Sequence, residues 1–274
     1  GETPKGWFIT PSGRLGRGLP IPGELETKPI SLGDGVILPL ANRLHYLPIK
    51  SGSRRGDDYT RKLDVNPDKS QPPPKWIHLE RLSDNEILAV DSGGALTRIQ
   101  LRTDPSPHLF ESRKLQLPSP VTVPFAAFKD VVVFADANQQ LHVMDAQSFQ
   151  VLGSANLNGN ATNAVWMVEG KVFVETNRSE LLAFDITPTP KQLWSLPLNG
   201  SGLAGSPRVV GGRLVVAKQN GEVLILEPSS NQVLQRHFLG QALVDSPSML
   251  GSHLLVPSLD GSLYPLEALL MGGQ

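Results

Sequence analysis

The sequence predicts an all-β fold, namely a β-propeller of four-stranded antiparallel blades, and three observations predict it. The 26 Gly and 24 Pro residues are spread along the 274-residue chain and divide it into short elements. Between them lie short runs of β-branched and apolar residues, which are typical of strands. The same two-strand pattern recurs six times, at intervals of about 40 to 52 residues, and such a period is typical of propellers and other repeat folds.

The recurring pattern is a β-hairpin. Its first strand is an apolar run, found at residues 36–38, 87–90, 131–134, 172–174, 214–216 and 254–256. Its second strand follows a polar turn, at residues 44–47, 96–99, 141–144, 181–184, 223–226 and 263–266. The last two turns contain Asn220-Gly221 and Asp260-Gly261. Such pairs tolerate the positive φ angles that tight hairpins require, so we expect tight turns here.

Flanking strands complete each repeat. A proline opens a strand before the hairpin, where no ladder donor is needed, at Pro29, Pro124, Pro207 and Pro247. An acidic residue closes the second hairpin strand, and we expect it to act in the following turn, at Asp145, Asp185, Glu227 and Glu267. A fourth strand follows, for example at residues 192–196 and 232–236. Four antiparallel strands per repeat of this length describe a propeller blade.

The two ends of the chain predict a closed ring. Residues 12–29 are similar to residues 191–207, which contain an outer strand, whereas the chain ends after an inner hairpin. The N-terminal segment is expected to be an outer strand without inner partners, and the N- and C-terminal strands would complete one blade. This gives about six blades; a seventh would require residues 7–10 to belong to an additional incomplete blade. We expect one domain over residues 1–274, cut from a longer protein because Gly1 is not preceded by Met.

The later repeats resemble a known family. The segments GSPRVVGGRLVVAKQNGEVLILEPSSNQVLQRHFLG and DSPSMLGSHLLVPSLDGSLYPLE are similar to the pyrroloquinoline-quinone-like (PQQ-like) repeat. The shared pattern is Ser-Pro, a Gly turn, an apolar strand, Asp-Gly-x-Leu and a second strand with an acidic end. The resemblance spans residues 7–267 and is strongest in the last two repeats. It implies a propeller from a bacterium, located in the periplasm or elsewhere outside the cytoplasm.

Composition excludes several classes of function. Lys and Arg total 25 and Asp and Glu total 26, so the net charge gives no electrostatic basis for binding nucleic acid. No run of about 18 apolar residues is present, so no membrane span is expected. The chain has no Cys, which excludes disulfides and thiolate metal sites. A basic stretch, Arg54-Arg55 and Arg61-Lys62, is interrupted by Asp57-Asp58, and we interpret it as a solvated loop.

The residues of catalytic chemistry do not form a recognisable set. Quinone-dependent dehydrogenases of this fold use calcium, a catalytic Asp and a Trp in most outer strands; here Trp194 has that position, but Gly153 and Gln235 replace it in two other repeats. His45 and His142 share one repeat position, which indicates packing more than a metal site. Ser206 and Ser246 recur before strands, so they are interpreted as strand-opening residues. Gly13, Gly16 and Gly18 have the wrong order for a dinucleotide loop. We therefore predict no catalytic, cofactor-binding or metal-binding residues and no cofactor.

These observations favour a non-catalytic binding or scaffold module that recognises a protein or a ligand through its loops, with a protein as the expected partner. The alternative is a propeller enzyme, a hydrolase, a lyase or a quinone-dependent dehydrogenase, with a site in the central channel. The insertion at residues 57–75 holds Pro72-Pro73-Pro74. It is interpreted as an outer strand with a long connection, or alternatively as a partner-binding loop.

Overall fold

The computed structural model describes residues 5–7, 18–49, 56–62, 72–187, 189–251 and 253–266. Within these ranges every regular element is a β-strand, which confirms the all-β class. The chain divides into two compact units, Gly1–Pro120 and Val121–Gln274. The single domain over residues 1–274 stays a prediction.

The first unit contains two four-stranded antiparallel sheets and a two-stranded ribbon. The ribbon consists of β1 (Lys5–Gly6) and β2 (Leu19–Pro20). The first sheet consists of β3 (Ile30–Leu32), β4 (Gly35–Leu40), β5 (Arg43–Pro48) and β6 (Tyr59–Thr60). The second consists of β7 (Trp76–Arg81), β8 (Glu86–Asp91), β9 (Ala95–Arg102) and β10 (His108–Gln116).

The second unit contains three four-stranded sheets and a three-stranded one. The first sheet has strands β11 (Ala126–Phe128), β12 (Val131–Ala135), β13 (Gln140–Asp145) and β14 (Val151–Asn156). The next has β15 (Ala161–Val168), β16 (Lys171–Thr176), β17 (Glu180–Asp185) and β18 (Lys191–Pro197). The third has β19 (Arg208–Val210), β20 (Arg213–Ala217), β21 (Glu222–Leu226) and β22 (Val233–Phe238). The terminal sheet has β23 (Ser248–Leu250), β24 (His253–Pro257) and β25 (Leu263–Pro265).

All six predicted hairpins are present, as the antiparallel pairs β4–β5, β8–β9, β12–β13, β16–β17, β20–β21 and β24–β25. The predicted turn conformation is also present, because Gly221 and Gly261 have φ angles of 92° and 86°. The predicted outer strand at residues 192–196 lies within β18, and the one predicted at residues 232–236 corresponds to β22, which begins one residue later and ends two residues later. Six sheets of three or four strands agree with the predicted count of about six blades.

The N-terminal segment was expected to be an outer strand without inner hairpin partners. Within the described residues it contains β2, in which Leu19 pairs with Gly6 and Pro20 with Lys5 of the short strand β1. The short β1 strand was missed because two residues give no periodic pattern. Trp7 follows β1, whereas residues 8–10, on which a seventh blade would depend, lie outside the described residues. Glu267 and the end of the chain lie outside them too, and ring closure stays a prediction.

The core is formed between successive sheets, because alternate side chains of a strand point to opposite faces. In the second unit, Phe173 and Leu181 of one sheet pack against Leu214, Val216 and Leu224 of the next. Each of these side chains is almost completely buried. Full burial of such a side chain contributes about 1.5 to 3 kcal/mol. Each contact between two successive sheets therefore contributes its own share of buried apolar surface to the stability of the fold.

The outer strands contain one repeat position at which quinone-dependent dehydrogenases of this fold usually carry a tryptophan. Of the three residues aligned at this position here, only one is a tryptophan. Trp194, Gly153 and Gln235 each lie opposite the third strand just before a bulge, so they are equivalent. The Trp194 Nε1 donates to the Pro228 carbonyl of the next sheet at 3.0 Å. At Gly153 a Cβ would lie 2.9 Å from Pro190, so the neighbouring connection already fills that space. Trp194 therefore fills the space between its own sheet and the next one, whereas at Gly153 the neighbouring connection with Pro190 fills it.

The insertion forms the outer strand that one interpretation predicted. Tyr59 and Thr60 pair with Leu44 and Arg43 of β5. Residues 63–71 lie outside the described residues, so the partner-binding loop stays a prediction. In the described part of the chain no helix is long and apolar enough to cross a membrane.

Candidate binding sites

The first candidate is a metal site. Among the described residues, no group of three or more His, Asp and Glu side chains could hold a metal ion. His45 and His142, which share a repeat position, each have a carboxylate partner in their own sheet. The His45 Nδ1 lies 2.6 Å from Asp58 Oδ1, and the His142 Nε2 lies 3.0 Å from Asp136 Oδ2. Each imidazole therefore has a hydrogen-bond partner within its own repeat.

A column of buried polar residues lies at the hairpin turns. Asp91 accepts hydrogen bonds from the backbone N–H groups of Gly93 and Ala95 through Oδ1. Asp136 does the same for residues 138 and 140 of its own turn. Because a carboxylate that satisfies turn N–H groups fixes the local backbone, this column is structural. Asp145 has the corresponding role in the next turn, where it accepts from the N–H groups of Gln147 and Ser148.

The strand-opening serines also hold the fold together. Ser206 and Ser246 lie two residues before β19 and β23. The Ser206 N–H donates to Ser246 Oγ at 2.7 Å, and the two hydroxyl oxygens lie 3.1 Å apart. This pair ties neighbouring sheets to each other. Gly13 and Gly16, the other motif considered from the sequence, lie outside the described residues.

The basic stretch is not a solvated loop at Arg61, so that interpretation was wrong. Arg61 is only 4 % exposed, and its Nη1 donates to Asp91 Oδ2 at 2.9 Å and to the Pro74 carbonyl at 2.8 Å. Its guanidinium carbon lies 4.0 Å from the centre of the Trp76 ring. Burial is possible because a carboxylate, a carbonyl and an aromatic face replace water around the charge. Arg54 and Arg55 lie outside the described residues.

The surroundings of Arg61 oppose the binding of an anion. Glu26 Oε2 lies 4.0 Å from Arg61 Nη2, in addition to the bond from Asp91. The same Glu26 oxygen accepts the Trp76 backbone N–H at 2.8 Å. Two carboxylates around one guanidinium leave no net positive charge to attract a further anion. The cluster therefore connects the two sheets of the first unit and fixes the base of the insertion.

Glu175 departs from the repeat. Strand pairing places it at the position occupied by Val90, Ala135, Ala217 and Pro257 in other sheets, all of them apolar. Its Oε2 accepts the Leu203 N–H at 3.2 Å, across the junction to the next sheet. Burial raises the pKa of Glu175, while hydrogen bonds from Leu203, Asn163 and Thr162 act in the opposite direction. The Glu175 carboxyl therefore joins two sheets through its hydrogen bond to Leu203, and burial makes its ionised form less favourable than its neutral form.

Two substitutions of Glu175 are expected to separate the effect of its hydrogen bond to Leu203 from the effect of its buried charge. Because the pKa is higher in the fold, protonation favours folding, and the wild type should lose stability as pH rises from the usual Glu pKa through the raised one. Glu175→Gln keeps an acceptor without a charge, so its advantage over the wild type should grow over that range. Glu175→Ala should cost about 1 to 3 kcal/mol, because the Leu203 N–H loses its acceptor. Urea unfolding at several pH values measures both effects. If the difference in unfolding free energy between Glu175→Gln and the wild type stayed the same at every pH, the predicted effect of charge would be contradicted.

An apolar cavity of about 280 Å³ lies in the first unit. We call it the Trp7 pocket, and it is lined by Gly6, Trp7, Ile21, Pro29, Ile30, Ser31, Val36, Leu38 and Leu47. Val36 and Leu47 lie opposite each other on the face of the β3–β6 sheet that points away from the core residues Ile37 and Tyr46. Gly6 of β1, Trp7 and Ile21 supply the other wall. No charged side chain is among its lining residues.

Trp7 gives this pocket an accessible aromatic wall. Its side chain is 54 % exposed. A Cβ at Gly18 would lie 3.1 Å from the Trp7 ring, so the ring rests directly on the Gly18 backbone. Contact with a backbone that carries no side chain restricts the ring without covering it. The pocket could not be predicted from the sequence, because its walls come from residues 6, 7, 21 and 29 and from strands β3, β4 and β5, which share no common motif.

Part of the chain is similar in sequence to a known family. Residues 186–269 match the family described as outer membrane protein assembly factor BamB. None of the curated protein sequences matches the chain. The matched segment contains the two repeats in which the PQQ-like pattern is strongest.

Several solved structures share the fold. BamB from Moraxella catarrhalis aligns with a TM-score of 0.67 at 17 % identity, over 92 % of this chain and 75 % of the BamB chain. Sqt1 from Saccharomyces cerevisiae aligns with a TM-score of 0.74 at 11 % identity, over 98 % of this chain and 77 % of Sqt1. BBS1N, solved in complex with ARL6DN, aligns with a TM-score of 0.65 at 12 % identity, over 91 % and 81 % of the two chains.

Identities this low establish the fold and not the activity. The structural similarities confirm the propeller architecture, and the family match confirms the resemblance on which the later repeats were interpreted. The chain therefore has the β-propeller fold, and its residues 186–269 match the model of a family with PQQ-like repeats.

Proposed function

We propose that this propeller is a non-catalytic module that binds a protein partner. The observation that carries the proposal is the Trp7 pocket, an apolar cavity with a half-exposed tryptophan at its wall. Tryptophan is enriched among the residues that dominate binding energy at protein interfaces. The described polar clusters around Asp91, Asp136 and Arg61 satisfy turns or join sheets, so they offer no comparable site for chemistry.

The chemistry of the pocket defines the partner. Its lining is aliphatic and aromatic, with Ser31 as its polar side chain. A cavity of about 280 Å³ accommodates one large apolar side chain, such as Leu, Phe or Trp. The similarity to an outer-membrane assembly factor and to a propeller solved with a partner supports a role in protein recognition. We propose that the partner inserts one apolar side chain beside Trp7.

Selection of peptides tests this function directly. We expect a random peptide library passed over the immobilised full chain to yield peptides that share one aromatic or large aliphatic residue. Trp7→Ala should weaken their binding by about 30-fold or more, because loss of a central aromatic at an interface costs about 2 kcal/mol. Isothermal titration calorimetry measures the change. Phe110→Ala is the matched control, since Phe110 is an exposed aromatic outside the pocket. Peptides that bind Trp7→Ala as tightly as the wild type would refute the proposal.

A further inference from the structure

The chain contains three Asn-Gly pairs, and each lies in a connection between two strands: Asn158-Gly159, Asn199-Gly200 and Asn220-Gly221. An asparagine loses ammonia when the backbone nitrogen of the next residue attacks its side chain. Glycine obstructs this attack least, because it has no Cβ beside that nitrogen. The reaction also needs a glycine N–H that can give up its proton and an asparagine side chain that can turn, and the fold decides both.

Two of the pairs are restrained by hydrogen bonds. The Gly200 N–H donates to Ser179 Oγ at 2.7 Å, and the Gly221 N–H donates to the Lys218 carbonyl at 3.0 Å. The side-chain oxygen of Asn220 also accepts the backbone N–H two residues later, at 3.1 Å. These bonds must break before the glycine nitrogen can attack, so they raise the barrier to the reaction.

The pair Asn158-Gly159 lacks this restraint. Among the described residues, the Gly159 N–H and the Asn158 carboxamide have no hydrogen-bond partner. Asn158 is exposed. The β16–β17 turn lies against Gly159, since a Cβ there would be 2.8 Å from Asn177 Oδ1, but that oxygen already accepts the Asn160 N–H at 3.1 Å. Of the three glycine N–H groups, the one at Gly159 is therefore the least stabilised.

The pair one repeat later provides a matched comparison. In both repeats the N–H of the preceding leucine donates to the carbonyl of a turn residue in the hairpin, which is Gln139 in one repeat and Ser179 in the next. Asn158 and Asn199 both have a φ angle of 55°. The two repeats differ at the turn residue, because only Ser179 offers a hydroxyl that accepts the N–H of the following pair.

We propose that Asn158 is a deamidation site of the folded chain and that it reacts before Asn199 and Asn220. The Gly159 nitrogen gives up its proton and attacks Asn158 Cγ, so that a five-membered succinimide forms and the side-chain nitrogen leaves as ammonia. Water then opens the ring at either of its two carbonyls. The products are aspartate and isoaspartate, the net change is the exchange of NH2 for OH, and water is the co-reactant.

The products alter a connection between two sheets. Leu157 and Ala161, on either side of the pair, are buried in the core of the second unit. Aspartate adds a negative charge at an exposed position, whereas isoaspartate also lengthens the backbone by one carbon. Because both ends of the segment are fixed in the core, we expect the isoaspartate form to have a lower free energy of unfolding. This site does not depend on the function proposed for the Trp7 pocket.

Peptide mapping by mass spectrometry tests the proposal during incubation of the full chain at mildly alkaline pH. Trypsin separates the three pairs, because Lys171 and Arg208 lie between them. We expect deamidation at Asn158 to be faster than at Asn199 and Asn220 by about threefold or more. Methylation by an isoaspartate methyltransferase identifies the isoaspartate product. In guanidinium chloride, where the fold no longer restrains the pairs, the three rates should converge.

Ser179→Ala tests the cause of the difference. It removes the hydroxyl that accepts the Gly200 N–H, so the rate at Asn199 should rise while the rate at Asn158 stays the same, and circular dichroism verifies the fold. The proposal is overturned if Asn199 or Asn220 reacts as fast as Asn158 in the folded wild type. It is also overturned if Asn158 stays intact there while the unfolded chain reacts. An unchanged rate at Asn199 in Ser179→Ala would refute the protective role of the hydrogen bond.

Discussion

Replacement of Arg61 by alanine is expected to lower the free energy of unfolding of the first unit by about 3 to 5 kcal/mol. The change removes the partner of Asp91, which is only 2 % exposed and would be left as an uncompensated buried charge. It also removes the donor to the Pro74 carbonyl and the cation that lies over the Trp76 ring. Urea unfolding followed by tryptophan fluorescence measures the effect, since Trp76 lies directly in the cluster.

Arg43 provides the matched control for this prediction. Its guanidinium lies 3.5 Å from Asp58, but the side chain is 39 % exposed. A surface ion pair of this kind contributes about 0 to 1 kcal/mol, so Arg43→Ala should cost no more than that. Equal losses in Arg61→Ala and Arg43→Ala would show that the buried cluster has no special role in joining the two sheets.

Gly221→Ala is expected to destabilise the second unit by about 2 to 4 kcal/mol. Gly221 has a φ angle of 92°, which a residue with a side chain rarely adopts. In addition, a Cβ there would lie 2.4 Å from the Gln241 carbonyl oxygen. This contact is with backbone, so no side-chain rotation relieves it, and the segment leading to the terminal sheet must move. Urea unfolding followed by far-ultraviolet circular dichroism measures the loss.

Gly261 occupies the same turn position in the terminal sheet and separates the two causes. Its φ angle is 86°, but no atom lies within 4 Å of a Cβ built on it. Gly261→Ala should therefore cost only about 1 kcal/mol, from backbone strain alone. The difference between the two variants measures the contact between the Gly221 turn and the following segment. Equal losses would show that backbone strain alone accounts for both.

The hairpins could be predicted because their signals are local. An apolar run, a turn with Asn-Gly or Asp-Gly and a second apolar run specify a two-stranded unit without reference to the rest of the chain. Gly221 and Gly261 adopted the positive φ angles that their turns required. The N-terminal ribbon was missed for the opposite reason, because Lys5–Gly6 and Leu19–Pro20 are two residues each and pair across a long connection.

The properties of the candidate sites depend on contacts between distant residues, and this limited their prediction. Arg61 appeared in the sequence as one of four basic residues near two aspartates, and its burial depends on Asp91, which lies 30 residues away. Glu175 occupies an otherwise apolar repeat position, and an alignment of the six hairpins by turn position could have revealed it. The Trp7 pocket has no such signal, since its shape results from how the ribbon lies on the β3–β6 sheet.

In each sheet of three or four strands, neighbours in the sheet are also neighbours in the chain. Loop closure therefore costs little entropy at any single step, and low contact order favours rapid folding. A ribosome that has released one complete repeat has released everything that the sheet needs to form its hydrogen bonds. For the same reason, gain or loss of a whole repeat during evolution changes the number of sheets but leaves the strand order of the remaining sheets unchanged.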